Sequence, residues 1–234
     1  MVWSGAGARA RRPPGTVAMI GERRLRAFTP LRARLFHRAL RTALRGCRSV
    51  LDVGCGAESP LGAVGFRGVA LGVDVSRAAL GAARAQGVHA GLVQADAATL
   101  AYVFRPRSVD AALALDVVEH LEREAALALL QTLECLARRR VVVFTPNGFV
   151  PQPPAPENPH QQHRSGFTAD EMRDLGYLVR GMYGLRCLSG PFGEARWRPG
   201  FVWRRVSDLT APLVYGAPRL AFALFCTKEI TDPP

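Results

Sequence analysis

Short apolar runs alternate with helical patterns through most of this chain. Five runs rich in Val, Leu and Ala, with the length and composition of buried strands, lie at residues 49–53, 69–75, 90–94, 109–115 and 140–144. Helical patterns lie between them at residues 59–64, 76–86 and 119–138. The second of these begins at Ser76, a good N-cap residue, and stops at Gly87. This alternation predicts an α/β protein with a mostly parallel sheet.

The pattern changes after the fifth predicted strand. Residues 146–166 are rich in proline and turn-forming residues. We predict a lid-like loop there rather than a domain linker, because the sheet is not yet complete. A helix is predicted to restart at Thr168, which is spaced with Glu171 as a capping box. Strand-like pieces follow at 178–182, 185–189 and 221–227. No apolar run reaches the length of a membrane span.

The N-terminal part differs from the rest. Residues 1–17 are rich in Gly, Ala, Arg and Pro, which predicts a flexible basic tail. Residues 18–46 place apolar side chains three and four positions apart between arginines. That spacing predicts one or two amphipathic helices, with Pro30 at a break or in a first turn. Residues 47–234 then form the main domain.

The positive charge of the chain is concentrated at its start. The net charge is +12, and residues 1–49 hold twelve of the 31 basic residues but only one of the 19 acidic residues. This asymmetry fits a contact with RNA or with an anionic membrane surface. It also fits an ordinary solvated surface encoded by a GC-rich gene, since Lys228 is the only lysine.

The cysteines and the N-terminal sequence indicate the cellular compartment. The five cysteines are scattered without C-x-x-C spacing, and no apolar segment near Met1 forms a secretory signal. Scattered thiols are typical of a reducing compartment, so we expect a cytoplasmic protein, with peripheral membrane contact left open. An arginine-rich, acid-poor N-terminus also occurs in transit peptides, so a mitochondrial address stays open as well.

Carboxylates and glycines stand at the ends of the predicted strands. The first strand runs into Gly54 and Gly56, which would let a ligand approach the main chain. Asp74 ends the second strand, 20 residues beyond Gly54, and Asp96 and Asp116 follow the next two. The carboxyl ends of parallel strands share one edge of the sheet, where ligands bind. The sequence therefore predicts a nucleotide-like ligand at this edge.

The sequence series VLDVGCG, GVDVS, ADA and ALDVVEHL resembles that of the class I S-adenosylmethionine-dependent methyltransferases, in their small-molecule branch. The resemblance implies a Rossmann-like, doubly wound sheet of seven strands in the order 3-2-1-4-5-7-6. The sheet would be mostly parallel with an antiparallel last strand. It also implies S-adenosylmethionine as the cofactor, and an N-terminal helix that covers the cofactor or shapes the acceptor pocket.

The resemblance also implies a role for each strand end. Asp52 would accept hydrogen bonds around the methionine part of the cofactor, directly or through water. Asp74 would hold both ribose hydroxyls, and Asp96 with the Ala97 N–H would recognise the adenine amine edge. The residues implied to bind the cofactor are Asp52, Gly54, Cys55, Gly56, Asp74, Val75, Asp96, Ala97, Leu115 and Asp116.

The acceptor side is predicted to depend on the lid-like loop. His163 stands four residues before Phe167-Thr168, as in the family pattern, and is our candidate for a base or for a group that orients the acceptor. His160 is the second candidate. Alternatively, both histidines only order the loop by hydrogen bonds. His120 is interpreted as a packing and hydrogen-bonding residue, and no metal is expected.

The resulting hypothesis is a methyltransferase acting on a small-molecule, glycan or lipid-precursor acceptor, with an oxygen atom favoured. Residues 115–118 lack the Asn/Asp-Pro-Pro-aromatic sequence with which many enzymes grip a flipped base. Two alternatives stay open. One is an RNA or protein methyltransferase that uses residues 1–49 as a basic arm. The other is a non-catalytic protein that binds S-adenosylmethionine.

Overall fold

The fold is a seven-stranded sheet covered by helices on both faces. The computed structural model describes residues 31–154, 159–190 and 192–231. The strands are β1 (Ser49–Val53), β2 (Val69–Asp74), β3 (Gly91–Gln94), β4 (Val109–Leu115), β5 (Ala137–Pro146), β6 (Leu178–Leu185) and β7 (Ala221–Glu229). The helices are α1 (Leu31–Ala43), α2 (Pro60–Ala63), α3 (Arg77–Gln86), α4 (Leu100–Val103), α5 (Arg123–Leu136), α6 (Ala169–Asp174) and α7 (Gly200–Tyr215).

The sheet order is β3-β2-β1-β4-β5-β7-β6, which confirms the predicted topology. Strands β1 to β5 pair in parallel, and β7 is antiparallel to both β5 and β6. The register pairs Val53 with Val73 and with Ala114, and Leu115 with Phe144. The carboxyl ends of the central strands therefore lie side by side, at the edge where the sequence predicts a ligand.

Local signals in the sequence explain where several elements begin and end. The Ser76 side chain accepts a hydrogen bond from the Ala79 N–H at the start of α3, and Gly87 ends that helix in the left-handed conformation. Thr168 and Glu171 form the predicted capping box of α6. These helices therefore start at the residues predicted from the sequence.

Two apolar layers hold the helices on the sheet. On one face, α5 buries Leu129, Leu130 and Leu133 against the sheet. On the other face, α1 buries Phe36 and Leu40, and the Phe36 ring meets the Phe144 ring edge-on with centroids 4.9 Å apart. Because Phe144 lies near the end of β5, this contact holds α1 close to the ligand-binding edge.

The structure corrects two predictions and contains a long helix that was not predicted. Residues 119–138 do not form one helix, since a 3-10 turn at Val118–His120 precedes α5, and β5 already begins at Ala137. Residues 185–189 are not a strand, because a 3-10 turn at Arg186–Leu188 follows β6. Helix α7 was not predicted, and it contains Pro212.

Some expectations lie outside the described residues. These are the flexible tail at 1–17 and the helical pattern at 18–30. The part of the second N-terminal segment that the structure describes forms α1. Within the described ranges, no helix has the length and apolar character needed to cross a bilayer.

Candidate active site

A glycine loop follows β1, and its two glycines differ in their surroundings. Gly54 and Gly56 have φ angles of +65° and +58°, in the left-handed region that favours glycine. A Cβ atom on Gly54 would stand 2.5 Å from Cγ2 of Val117, so the loop packs against the turn after β4. A Cβ atom on Gly56 would meet no atom nearer than 4.0 Å. The space in front of Gly56 is therefore open to a ligand.

Asp74 joins this loop to the end of β2. Its Oδ2 accepts a hydrogen bond from the Gly56 N–H at 2.9 Å, and its Oδ1 accepts one from the Ser76 N–H at 2.7 Å. Each carboxylate oxygen has two lone pairs, so both keep capacity for a ligand hydroxyl. Val75, the next residue, is exposed beside it.

Asp52 lies under the loop rather than in front of it. The residue is 2 % exposed, and its Oδ2 accepts a hydrogen bond from the Ser59 hydroxyl at 2.6 Å. The same oxygen lies 3.0 Å from Nε2 of His89, whose side chain is buried. No motif in the sequence marks His89 as part of this site. Burial, and then the charges of Asp52 and Asp74, raise the pKa of the neighbouring Cys55 thiol to about 12.

Asp96 follows β3 and caps the next turn. Its Oδ1 accepts a hydrogen bond from the Ala98 N–H at 2.9 Å, at the start of the 3-10 turn Ala97–Thr99. The Asp96 side chain is exposed and Ala97 is half-buried. A carboxylate oxygen is therefore accessible at the end of β3.

Two carboxylates meet after β4. Leu115 is half-buried, and Asp116 has a φ of +55°. The Asp116 residue is exposed to solvent, and desolvation by the surrounding protein raises its pKa to about 6. The Asp116 side chain also lies close enough to Glu119 for each carboxyl group to affect the pKa of the other.

Glu119 is 2 % exposed, and its Oε2 accepts a hydrogen bond from the Thr145 hydroxyl at 3.1 Å. Burial, and then repulsion from Asp116, raise the pKa of Glu119 well above its usual range. A second negative charge beside a buried carboxylate is unfavourable unless a proton or another cation is present. The pair is therefore a strong acceptor for either.

Two histidines stand beside this pair. The rings of His120 and His163 have centroids 4.8 Å apart. Nδ1 of His120 lies 3.2 Å from the Gln162 carbonyl oxygen, and Nδ1 of His163 lies 2.6 Å from the Val150 carbonyl oxygen. A carbonyl can only accept, so each Nδ1 carries the proton and each Nε2 keeps its lone pair.

The same burial affects the charge of both rings. Burial, and then the proximity of His163, lower the pKa of His120 to about 4. Burial also lowers the pKa of His163, although the hydrogen bond to the Val150 carbonyl acts in the opposite direction and raises it. Both imidazoles are therefore neutral at pH 7.

Main-chain bonds bring His163 to this position. The N–H groups of Arg164 and Ser165 both donate to the Glu119 carbonyl, at 2.8 and 3.2 Å. The His163 N–H donates to the Gln152 carbonyl at 3.1 Å. His160 lies in a 3-10 turn, Pro159–Gln161, and is exposed. The loop thus places His163, and not His160, beside Glu119 and His120.

Tyr183 lies close enough to Asp116 to feel its charge, and Arg32 lies over the Tyr183 ring. Tyr183 is the third non-glycine residue with a positive φ in the described ranges, at +64°. Burial, and then the charge of Asp116, raise the pKa of its hydroxyl. The Arg32 guanidinium lies 5.6 Å from the centre of the Tyr183 ring. No short sequence motif marks either residue, because β6 and α1 bring them together from distant positions.

A groove of about 740 Å³ lies between α7, the segment that precedes it and Arg32 of α1. Its lining includes Trp197 and Phe201 together with Arg198 and Arg204. Asp208 also lines it, and its carboxylate accepts hydrogen bonds from the first N–H groups of α1. The glycine loop does not line this groove. The strand-end geometry, rather than the volume of the groove, identifies the site.

The comparisons with known proteins agree with this geometry. Residues 51–138 match the family model of the methyltransferase domain. No curated protein matches the chain. A structure of a SAM dependent methyltransferase from Archaeoglobus fulgidus has a TM-score of 0.53 at 20% identity, covering 85% of this chain and 92% of that one.

A second solved structure has the same fold. It is the complex between the Haloferax volcanii Trm112 methyltransferase activator and the putative methyltransferase. Its TM-score is 0.55 at 17% identity, with 87% of this chain and 92% of that chain covered. At these identities the two structures show that the fold is shared.

The family match, the strand order and the strand-end carboxylates together define the class of protein. The chain contains a methyltransferase domain that matches over residues 51–138, on the fold of the class I S-adenosylmethionine-dependent methyltransferases. It is an enzyme, and S-adenosylmethionine is its methyl donor. The described residues fit that group, because the space before Gly56 is open and Asp74 and Asp96 keep acceptor capacity at the strand ends.

Proposed function

We propose that this enzyme transfers a methyl group to a hydroxyl oxygen of a small-molecule, glycan or lipid-precursor acceptor. One observation carries the proposal. The turn that touches the glycine loop through Val117 continues directly into Glu119 and His120, with His163 packed against them. Groups that can hold an acceptor hydroxyl and take its proton therefore lie next to the cofactor loop.

The cofactor roles follow from the strand ends. Bound S-adenosylmethionine supplies an activated methyl carbon, so the protein mainly has to position the acceptor and manage one proton. In this proposal Asp74 accepts from the ribose hydroxyls, and Asp96 with the Ala97 N–H contacts the adenine. Gly54, Cys55 and Gly56 contact the cofactor through their main chain, Val75 and Leu115 pack against it, and Asp116 lies below the reacting centre.

Asp52 is buried, and its position indicates a structural role beneath the glycine loop rather than direct contact with the cofactor. With 2 % exposure and hydrogen-bond partners in Ser59 and His89, it supports the underside of the loop. Any contact of Asp52 with the methionine part of the cofactor would pass through water or through the loop.

His163 is the proposed base. Its Nδ1 proton is held by the Val150 carbonyl, so its Nε2 can accept the proton of an acceptor hydroxyl. Its lowered pKa keeps the ring neutral, as a base must be before it takes a proton. His160 is exposed and outside the cluster, which makes it the weaker candidate.

The test uses labelled S-adenosylmethionine and the small-molecule fraction of a cell extract as the source of acceptor. We expect His163→Ala to bind S-adenosylhomocysteine as the wild type does, but to transfer label about a hundredfold more slowly. His160→Ala is the matched control from the same loop and should lose much less. Equal loss in both variants, or none in His163→Ala, would contradict the role.

A basic face on α1 favours RNA as the second candidate acceptor. Arg38, Arg41 and Arg45 are exposed on or just after this helix. If RNA is the acceptor, its affinity for the full chain should fall steeply between 50 and 200 mM salt, because each neutralised phosphate releases counterions. Undetectable RNA binding at both salt concentrations would leave the small-molecule proposal.

A further inference from the structure

Three side chains of the kind that bind metal ions converge after β4. Glu119, His120 and His163 each offer one ligand atom, and these three atoms lie within 4.8 Å of one another. Zinc–nitrogen and zinc–oxygen distances of about 2.0–2.2 Å would place tetrahedral ligands about 3.4 Å apart. Small side-chain rotations would therefore bring all three onto one cation.

The histidines are already arranged as ligands. A metal-binding imidazole is neutral, and its other ring nitrogen usually donates to a carbonyl or a carboxylate, which fixes the ring. His120 and His163 both have this arrangement, with Nδ1 on the carbonyls of Gln162 and Val150. Each ring is thus fixed through Nδ1, which is the usual arrangement of an imidazole that binds a metal through Nε2.

The carboxylates supply the complementary charge. Glu119 is buried between the Thr145 hydroxyl and the Asp116 carboxylate. Two neighbouring carboxylates are stabilised by a divalent cation between or beside them. Asp116 reaches solvent, so the Asp116 side of the cluster is open. A cation at this point would keep positions free for an incoming oxygen.

We propose that Glu119, His120 and His163 bind a divalent transition-metal cation of the Zn²⁺ type, with Asp116 at its open side. Two imidazoles and one carboxylate suit Zn²⁺ or Co²⁺ better than Mg²⁺, which prefers oxygen ligands. This site revises our expectation, drawn from the sequence, that no metal takes part.

The role of the cation rests on the proposed function. A cation held by these three side chains would lower the pKa of an acceptor hydroxyl at the open side. Asp116 would be placed to take that proton and release it to solvent. The oxygen would then form its bond to the methyl carbon as the carbon–sulfur bond breaks. His163 would in that case act through the cation, and not by taking the proton itself.

Calorimetry and cobalt absorption test the site directly. The full chain is stripped with EDTA, and its exposed thiols, which include Cys135 and Cys187, are alkylated to remove background binding. We expect one Zn²⁺ per chain by calorimetry, and Co²⁺ absorption bands without a thiolate charge-transfer band. Mg²⁺ should bind far more weakly. Equal affinity for Mg²⁺ would overturn ligation by histidine.

Matched variants assign the ligands. His120→Ala, His163→Ala and Glu119→Gln should each lower the Zn²⁺ affinity more than a hundredfold, beyond the 10–100-fold that loss of an outer-shell partner costs. His160→Ala, from the same loop but outside the cluster, should keep the wild-type affinity. Equal Zn²⁺ binding by the wild type and His163→Ala, or an equal loss in His160→Ala, would overturn the site.

A second measurement separates this inference from the proposed function and from misfolding. Each stripped protein is titrated with S-adenosylhomocysteine, which needs none of the three ligands. A folded variant should bind it as the wild type does. Binding of S-adenosylhomocysteine without Zn²⁺ binding would refute the metal site and leave the function standing. Zn²⁺ binding without S-adenosylhomocysteine binding would refute the proposed cofactor site alone.

Discussion

The glycine loop allows its structural and its ligand-binding roles to be measured apart. Three glycines have nearly the same φ, namely Gly54 at +65°, Gly56 at +58° and Gly65 at +67°. Alanine in the left-handed region costs about 1–2 kcal/mol whatever its neighbours. A Cβ atom on Gly65 would meet no atom within 4 Å, so Gly65→Ala should show this conformational cost alone.

The other two variants add different terms to that cost. In Gly54→Ala the new Cβ atom stands 2.5 Å from Cγ2 of Val117, far inside the carbon–carbon optimum of about 3.5–4.0 Å. Overpacking of this kind costs about 1–3 kcal/mol, so the total loss in unfolding free energy should be about 2–5 kcal/mol. Adding Val117→Ala should recover most of the packing part. Gly56→Ala should cost no more than Gly65→Ala.

The affinity for S-adenosylhomocysteine should distinguish Gly56→Ala from Gly65→Ala, although neither variant introduces a clash. The Cβ atom of Gly56→Ala projects into the space proposed for the cofactor, so the affinity for S-adenosylhomocysteine should fall at least tenfold. Gly65→Ala should bind it as the wild type does. Urea unfolding and calorimetry give the two quantities on the same samples. Wild-type affinity in Gly56→Ala would refute the proposal that the cofactor lies in front of the loop.

Three further predictions concern the carboxylates and a histidine. Asp74→Asn should weaken S-adenosylhomocysteine binding about ten- to a hundredfold in calorimetry, since it replaces a charged acceptor; an unchanged affinity would remove Asp74 from the site. The pKa of Glu119 is raised in the folded state, so the unfolding free energy of the metal-free wild type should fall as pH rises above about 4.5. Glu119→Gln should flatten this pH dependence in urea unfolding. An unchanged slope would contradict the raised pKa. The pKa of His120 is lowered to about 4, so the unfolding free energy should fall as pH drops from about 6.5 to 4. His120→Asn should lose less unfolding free energy over that pH range. An equal loss would contradict the lowered pKa.

The sequence predicts the parallel half of the fold because its signals are local. Strands β1 and β4 have the predicted bounds, and a capping residue or a glycine marks both ends of α3. Helix α7 lacks such signals. Its exposed side carries Phe201, Leu209 and Leu213, so polar and apolar positions do not separate, and Pro212 suggests a break. The apolar residues from Ala211 to Cys226 do not form one element, because they span the end of α7 and most of β7.

The candidate site also has one part that the sequence could predict and one part that it could not. The carboxylates at the strand ends could be predicted, because an acid after each short apolar run is visible in the sequence. The cluster after β4 could not, since Glu119 and His163 are far apart in the chain. Their meeting depends on the N–H groups of Arg164 and Ser165, which donate to the Glu119 carbonyl. Main-chain bonds of this kind leave no signature in the side-chain sequence.

The loop after β5 is fixed at both ends, and this has a consequence for the acceptor. At its start, the Asn147 side chain donates to the carbonyls of Pro218 and Ala221, at 3.0 and 2.9 Å. At its end, Ser165 donates through its N–H to the Glu119 carbonyl and through its hydroxyl to the Val118 carbonyl. The two fixed ends lie on the sheet and on the turn that carries the reactive cluster. Residues between them can therefore change to fit another acceptor while His163 keeps its position, because its ring is held by main-chain groups.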